Sequence, residues 1–172
     1  MPENGSDASR SETFAIYGFE IKIPGDWRVE VNPKDTRNKG DVVFHSPKIN
    51  RFYVSWGPLS EATKQFKSLE DHRDFSVANM KKSREVQSLS ITGSRESEIH
   101  GHKALMTRVD LAAGRISMFG KNRPVSRSTN SLHFYCPERG RYYIIYSLVN
   151  SPDEYPDFLD FFEKLAQSMV CH

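Results

Sequence analysis

Alternation of apolar and polar residues marks several separate segments of this chain. In residues 17–23, aromatic and isoleucine side chains occupy every second position, which is typical of a strand with one buried face. Short apolar segments at residues 41–45 and 51–56 are two more strand candidates. Residues 132–136 alternate again, and residues 142–149 form a nearly continuous apolar run. Both halves of the chain therefore contribute strands to the predicted fold.

Two other segments have the three- and four-residue spacing of helices. Ser68 followed by Asp71 resembles a capping box, which predicts a helix from there to about Arg84. A second helix is predicted after Pro156, which is placed at the first helical position or after a tight turn, because proline deep inside a helix removes a hydrogen bond. Its apolar stripe consists of Phe158, Leu159, Phe162, Leu165, Ala166 and Met169. Such a stripe must pack on the sheet, so an α+β fold is predicted.

Length and composition favour one domain. A chain of 172 residues lies within the usual size range of a single domain, and its 11 Phe and 7 Tyr residues supply bulky side chains for a core. Residues 1–13 mix Pro, Asn, Gly, Ser and Asp without an apolar period, so we expect a disordered N-terminal tail. Residues 14–172 are predicted to form the domain.

Charge and hydropathy limit the kinds of partner. The net charge of +2 results from 24 Lys and Arg residues against 22 Asp and Glu residues, which is too balanced to attract nucleic acid over the whole molecule. No apolar run reaches the roughly 18 residues that could span a bilayer. Residues 1–13 also lack the apolar stretch of a secretory signal. We therefore expect a cytoplasmic protein without a membrane partner, for which nucleic acid is not the expected ligand.

Several short motifs follow one another in a recognisable order. Ile-Pro-x-x-Trp at residues 23–27 precedes the mid-chain helix, and Gly-His-x-Ala follows that helix at residues 101–104. A tyrosine-rich strand comes next, and the final aromatic helix ends with Ala-Gln-Ser-Met at residues 166–169. In this order and spacing, the chain resembles the PsbP-like family over residues 14–170.

The resemblance implies an α-β-α sandwich, in which a central antiparallel sheet is flanked by helices on both faces. The PsbP-like family includes the extrinsic PsbP subunit of photosystem II and a nuclear transport factor that binds the Ran GTPase. The resemblance therefore also implies a binding or assembly role with a protein partner, although a fold alone does not specify which partner. The missing export signal argues against a photosystem role.

Residues 112–131 are predicted to form a long polar loop that carries four cations and no acidic residue. Like charges beside exposed apolar groups could hold an acidic protein surface or a nucleic-acid backbone, and loops of this length are often functional. The candidate partner-binding residues are Arg115, Phe119, Lys121, Arg123 and Arg127. A solvated loop with Phe119 folded beneath it is the simpler interpretation, and it stays open.

His100-Gly101-His102 is the sequence that most suggests a metal site, because alternate residues of a strand face the same way and two imidazoles can chelate a divalent ion. However, strands are predicted on either side of Gly101, at residues 95–100 and 103–111. We therefore expect Gly101 in a turn, which would break that geometry. His45, His133 and His172 could in principle complete a site, but none of them is a third ligand at a fixed spacing, so no metal and no other cofactor is predicted.

The remaining reactive side chains do not form a recognisable site. Cys136 and Cys171 lie outside any Cys-x-x-Cys arrangement, so a zinc or redox pair is not predicted. We expect two reduced thiols packed as small apolar residues, and a disulfide is the alternative in an oxidising compartment. No nucleophile with a base, carboxylate pair or phosphate-binding glycine loop is visible, so no catalytic residue and no enzymatic activity are predicted.

The predicted function is a non-catalytic binding or assembly module of the PsbP-like type, which engages a protein partner through the basic loop and a neighbouring sheet edge. The first alternative is a small-ligand-binding or hydrolytic protein, which requires a pocket between sheet and helix lined by His or carboxylate groups. The second alternative is weak nucleic-acid binding by the basic loop. That alternative predicts an affinity that falls steeply with added salt.

Overall fold

Two antiparallel sheets form the framework of the chain in a computed structural model, which describes residues 10–47, 51–114, 124–150 and 156–172. The smaller sheet is a hairpin of β1 (Ser11–Ile16) and β2 (Phe19–Pro24). The larger sheet consists of β3 (Arg28–Val31), β4 (Gly40–His45), β5 (Arg51–Pro58), β6 (Val86–Ile99), β7 (His102–Gly114), β8 (Pro124–Cys136) and β9 (Arg141–Asn150). Its strands lie side by side in the order β3-β4-β5-β9-β8-β7-β6, so the chain crosses over from β5 to β9.

The helices are α1 (Leu59–Gln65), α2 (Leu69–Lys81) and α3 (Phe158–Gln167). The predicted cap of α2 is present, since the Ser68 hydroxyl accepts a hydrogen bond from the Asp71 backbone N–H at 3.2 Å. Pro156 lies in a turn before α3 and not at its first helical position. None of the described helices is long and apolar enough to cross a membrane.

The two faces of the large sheet are covered by different elements. Side chains alternate along β8, so that Leu132 and Phe134 enter the main core, whereas His133 and Tyr135 face α2. The main core lies between the sheet, α3 and the β1–β2 hairpin. Its largest members, each at most 1% exposed, are Phe19, Phe44, Phe52, Trp56, Phe134, Tyr143 and Phe162. This arrangement confirms the predicted α+β sandwich with helices on both faces of an antiparallel sheet.

The predicted loop at residues 112–131 is mostly strand. β7 continues to Gly114 and β8 already starts at Pro124, and the nine residues between them, 115–123, lie outside the described part of the chain. The apolar pattern does not reveal the first half of β8, because its buried side chains are polar. They are Ser128, Thr129, Asn130 and Ser131, each at most 4% exposed. A search for alternating apolar residues therefore cannot detect this part of the strand.

Two other boundaries differ from the sequence-based ones. β1 begins at Ser11, so three residues of the predicted tail at 1–13 belong to a strand, and residues 1–9 lie outside the described part of the chain. Tyr17 and Gly18 link β1 to β2 with positive φ angles of 49° and 87°, which is the conformation of a tight hairpin turn. In addition, residues 86–99 form the single strand β6, whereas the strand predicted from the sequence began only at residue 95.

Candidate functional site

The predicted basic site is only partly described by the structure. Arg115, Phe119, Lys121 and Arg123 lie outside the described residues. Arg127 lies in β8, opposite Leu111 of β7 and Asn150 of β9. Its side chain is 21% exposed, and its guanidinium lies 4.0 Å from the Glu85 carboxylate. Arg127 is therefore a strand residue beside an acidic group and not a free loop cation.

β6 ends the strand order, so its outer side is an edge of the large sheet. Val86 pairs with Ala113, and the Gly114 N–H donates to the Glu85 carbonyl at 2.8 Å. The start of β6 therefore adjoins the end of β7, from which residues 115–123 continue. Residues 86–94 contain no charged side chain, and Ile91 is 43% exposed. Irregular pairing occurs near residues 86–88 and 91–93.

A second group of chemically active side chains lies at the opposite end of β7 and β8. His102, Cys136, Cys171 and His172 each offer one donor atom, and these four atoms lie within 4.8 Å of one another. The His172 Nδ1 atom lies 3.4 Å from His102 Nε2, 3.7 Å from Cys136 Sγ and 3.3 Å from Cys171 Sγ. The sequence indicates His102 in the His-x-His motif, offers His172 only as one of three possible further ligands and treats the two cysteines as packed thiols, because the four residues come from three separate segments.

Three local structures position these side chains. His100 and Gly101 have φ angles of 48° and 80°, which is typical of a two-residue hairpin turn, and His102 is the first residue of β7 after that turn. The expectation that Gly101 lies in a turn is thus confirmed. Cys136 ends β8, just before a single 3-10 turn at Pro137–Arg139.

The segment after α3 is held by the β1–β2 hairpin. The backbone of Val170 forms two hydrogen bonds with Glu20 in β2, at 2.8 and 2.9 Å. Arg139 also donates from Nε to the Cys171 carbonyl at 3.3 Å. These contacts fix the direction of the chain, so that the side chains of Cys171 and His172 reach Cys136 and His102.

The surroundings of the four donors are polar on one side and buried on the other. Both cysteines are free thiols with no exposed surface, and burial, followed by the hydrogen bond to Cys136, raises the pKa of the Cys171 thiol. The Glu138 carboxylate lies 3.5 Å from His102 Nε2 and 3.8 Å from Cys136 Sγ. Beside His102, a surface cleft of about 470 Å³ is also lined by Tyr135, Glu70 and Lys103.

Histidines are also present between α2 and the sheet, where the first alternative function would require a pocket. His133 and His72 are only 1% and 5% exposed, and the His133 Nε2 atom lies 3.3 Å from the Ser76 hydroxyl. The Phe66 ring stacks on His72 at 4.3 Å, and the Tyr142 ring packs on its other side at 5.1 Å. Burial lowers the pKa of His72 to about 4 and that of His133 to about 3. These two rings are therefore neutral interior groups at neutral pH.

Comparison with known proteins identifies the architecture. No protein-family model and no curated protein matches the chain, but solved structures do. Cyanobacterial PsbP (CyanoP) from Synechocystis sp. PCC 6803 superposes with a TM-score of 0.61 at 15% identity, covering 98% of this chain and 96% of CyanoP. The Ran-binding protein Mog1p of Saccharomyces cerevisiae superposes with a TM-score of 0.59 at 7% identity, covering 95% of this chain and 96% of Mog1p. The chain has the PsbP-like fold.

The residues of the motifs that carry the PsbP-like resemblance lie in the core or in a turn of this fold. Trp27 packs its ring against Phe52 at 6.2 Å and against Phe161 of α3 at 5.8 Å. Gly101 occupies the turn between β6 and β7, where its φ of 80° favours glycine. Residues 166–169 span the C-terminal end of α3, and Ala166 and Met169 are buried there. At this level of identity the likeness establishes the fold, and function has to be argued from the chain's own surface.

Proposed function

We propose that this PsbP-like chain is a non-catalytic protein-binding module, which docks an acidic segment of a partner protein against the β6 edge and the basic residues that follow β7. The observation that carries the proposal is an edge strand without charge over residues 86–94, whose start adjoins the end of β7, together with a sequence after β7 whose charges up to residue 131 all have one sign. A cytoplasmic location is part of the proposal, and cell fractionation of the host tests it.

The β6 edge has the chemistry needed for strand addition. An edge strand presents unpaired backbone N–H and C=O groups, to which an extended peptide can hydrogen-bond. Many natural proteins protect such edges with charged side chains or bulges. β6 carries no charge over residues 86–94, and residues 88–91 pair regularly with β7 between the irregularities at residues 86–88 and 91–93. This stretch is the proposed docking strand.

The basic segment specifies the charge of the partner. Between residues 112 and 131 the chain contains four cations and no acidic residue. Charge complementarity of this kind increases association rates and excludes partners of the wrong sign. The partner segment is therefore expected to carry Asp or Glu residues beside an extended stretch.

One of the solved structures with this fold supports a protein-binding role, since Mog1p is described as a Ran-binding protein. The likeness of fold does not transfer that partner to this chain. It shows that this sandwich can serve protein recognition, and the β6 edge is the surface on which we place that recognition here.

Site-specific photo-crosslinking tests the proposal. A photoreactive amino acid at position 91, on the β6 edge, is expected to trap a partner in the native host, and mass spectrometry identifies both the partner and the trapped segment. The same group at position 75 is the matched control, because Phe75 is equally exposed at 43% but lies on α2. Trapping by position 75 alone would reject the β6 edge as the docking surface.

The charge requirement is tested on the same crosslink. Reversing two charges with Lys121→Glu and Arg123→Glu should abolish trapping at position 91, whereas reversing the distant Arg28, whose side chain is 73% exposed, should not. Arg127 is left unchanged because Glu85 lies beside it. If trapping persists at the same yield after both reversals, the basic segment has no part in docking. If the trapped molecule is a nucleic acid lost at high salt, the nucleic-acid alternative replaces the proposal.

A further inference from the structure

Four side chains of the kinds that bind transition metals meet at the end of the sheet where β7 begins and β8 ends. One group of possible metal ligands is found among the described residues. It consists of His102, Cys136, Cys171 and His172, whose donor atoms all lie within 4.8 Å of one another. Thiolates and imidazoles are the ligands of structural zinc sites. The question is whether their geometry is that of a metal site or of ordinary hydrogen bonding.

The surroundings of His172 distinguish the two possibilities. Its Nδ1 atom has three neighbours, at 3.4 Å from His102 Nε2, 3.7 Å from Cys136 Sγ and 3.3 Å from Cys171 Sγ. An imidazole nitrogen carries either one proton or one lone pair, so it cannot form three hydrogen bonds. In a tetrahedral metal site, in contrast, each ligand atom has the other three ligand atoms as neighbours at similar distances.

The size of this tetrahedron fits zinc. Zinc bonds of about 2.0–2.1 Å to histidine nitrogen and about 2.3 Å to cysteine sulfur place tetrahedral ligand atoms about 3.3–3.8 Å apart. The three separations around His172 lie within this interval. The other separations among the four donors are at most 4.8 Å, so an ion at the centre would draw some of the ligand atoms together by up to about 1 Å.

The backbone around the ligands is held by the fold. Cys136 and Cys171 are fully buried, and the His102 side chain is 10% exposed. The hairpin turn before His102 and the backbone pairing of Val170 with Glu20 fix the segments that carry them. A preorganised ligand set loses less conformational entropy when it binds.

The donor types select the metal. Two thiolates and two imidazoles favour zinc over magnesium or calcium, which prefer oxygen ligands. Four protein ligands also close the coordination sphere, which is typical of structural and not of catalytic zinc. The Glu138 carboxylate, 3.5 Å from His102 Nε2, adds negative charge beside the cation.

We propose that His102, Cys136, Cys171 and His172 bind one Zn²⁺ ion, which ties the residues after α3 to the β6–β7 turn and to the end of β8. Binding forms two Zn–N and two Zn–S bonds, releases the two thiol protons to solvent and changes no oxidation state. The site lies at the opposite end of β7 from the proposed docking segment, so neither proposal depends on the other.

Metal titration of the reduced full-length chain, after removal of metal with a chelator, tests the site. We expect binding of one equivalent of Zn²⁺ in competition with a chromophoric chelator. One equivalent of Co²⁺ should give the intense visible bands of tetrahedral cobalt and a thiolate charge-transfer band in the near ultraviolet. A weak octahedral cobalt spectrum without the thiolate band would overturn the proposal, as would a disulfide between the two cysteines in chain isolated under reducing conditions.

Ligand variants assign the site to these residues. Cys136→Ser and Cys171→Ser should each weaken zinc binding by more than about 100-fold, since even indirect partners of a metal ligand contribute 10–100-fold. His100→Asn is the matched control, because the His100 ring lies 4.5 Å from the His172 ring but is not one of the four donors. An equal loss in His100→Asn would contradict the assignment. If a cysteine variant fails to fold, X-ray absorption of the zinc-loaded wild type still decides, since two sulfur and two nitrogen ligands are expected.

Discussion

His72 and His133 are two buried histidines between α2 and the sheet, and their titration should make the stability of the fold depend on pH. Burial lowers the pKa of His72 to about 4, and burial together with the nearby His72 and Arg73 lowers that of His133 to about 3. In the unfolded chain a histidine titrates near pH 6.5. Below about pH 6.5 the unfolded state therefore binds protons that the folded state excludes, so the free energy of unfolding falls as the pH decreases toward 4. Each ring contributes on the order of 3 kcal/mol to this loss.

Urea denaturation at pH 7, 6 and 5 checks this expectation, with a chelator present so that metal binding does not contribute. His133→Asn should flatten the decrease in unfolding free energy with acidity, whatever its effect on stability at pH 7. Val77→Ala is the control and should leave the slope unchanged, because it removes buried methyl groups from α2 but no titratable group. Equal slopes in the wild type and His133→Asn would contradict the assignment.

At the scale of elements, α3 attaches to the sheet through a few aromatic rings. Phe162 is fully buried, and its ring lies 5.7 Å from that of Phe52, whereas its neighbour Phe161 is 37% exposed and contacts Trp27 at 5.8 Å. Phe162→Ala should lower the free energy of unfolding by about 3–5 kcal/mol because it leaves a cavity. Phe161→Ala removes the ring contacts with Trp27 and Phe158 from a partly exposed site and should cost about 1–2 kcal/mol. Equal losses in urea denaturation would show that the two rings do not differ as their burial indicates.

Some elements could be predicted from the sequence because their own residues carry the signal. β2 alternates buried and exposed side chains along its length, and Ser68 provides a side-chain cap for α2. The first half of β8 carries no such signal, because its serines, threonine and asparagine are buried by neighbouring strands. The position of a polar strand inside a sheet is a tertiary property, which residue spacing does not contain.

The same limit explains why sequence spacing did not reveal the histidine–cysteine group. His102, Cys136 and Cys171 are separated by long segments, whereas zinc motifs are recognised by short, fixed spacings. The visible His-x-His sequence is divided by the Gly101 turn, so only His102 joins the donor group. Antiparallel pairing of β7 with β8, together with the Val170–Glu20 bridge, brings the donors together. The sequence pattern predicts the strands, but not which of their ends meet.

At the scale of the whole molecule, both helical layers depend on the same sheet. α2 packs on β6, β7 and β8 from one side, and α3 contacts β6 and β8 from the other. Trp27 and Trp56 belong to the core on the α3 side, whereas Val77 of α2 is buried outside that core. Because both helical layers pack on the same strands, loss of one layer exposes the sheet that supports the other layer. Residues 14–172 are therefore predicted to unfold as one cooperative unit.

Val77→Ala tests that unity, since the substitution lies in one layer and the tryptophan probes lie in the other. It should lower the urea midpoint of tryptophan fluorescence and that of far-ultraviolet circular dichroism by the same amount, because removal of buried methyl groups from the α2 layer destabilises the shared sheet. The Phe162→Ala variant, with its change on the tryptophan side, should show the same coincidence of the two probes. If Val77→Ala shifts the dichroism but leaves the fluorescence midpoint in place, the two faces unfold separately and the single-domain prediction is wrong.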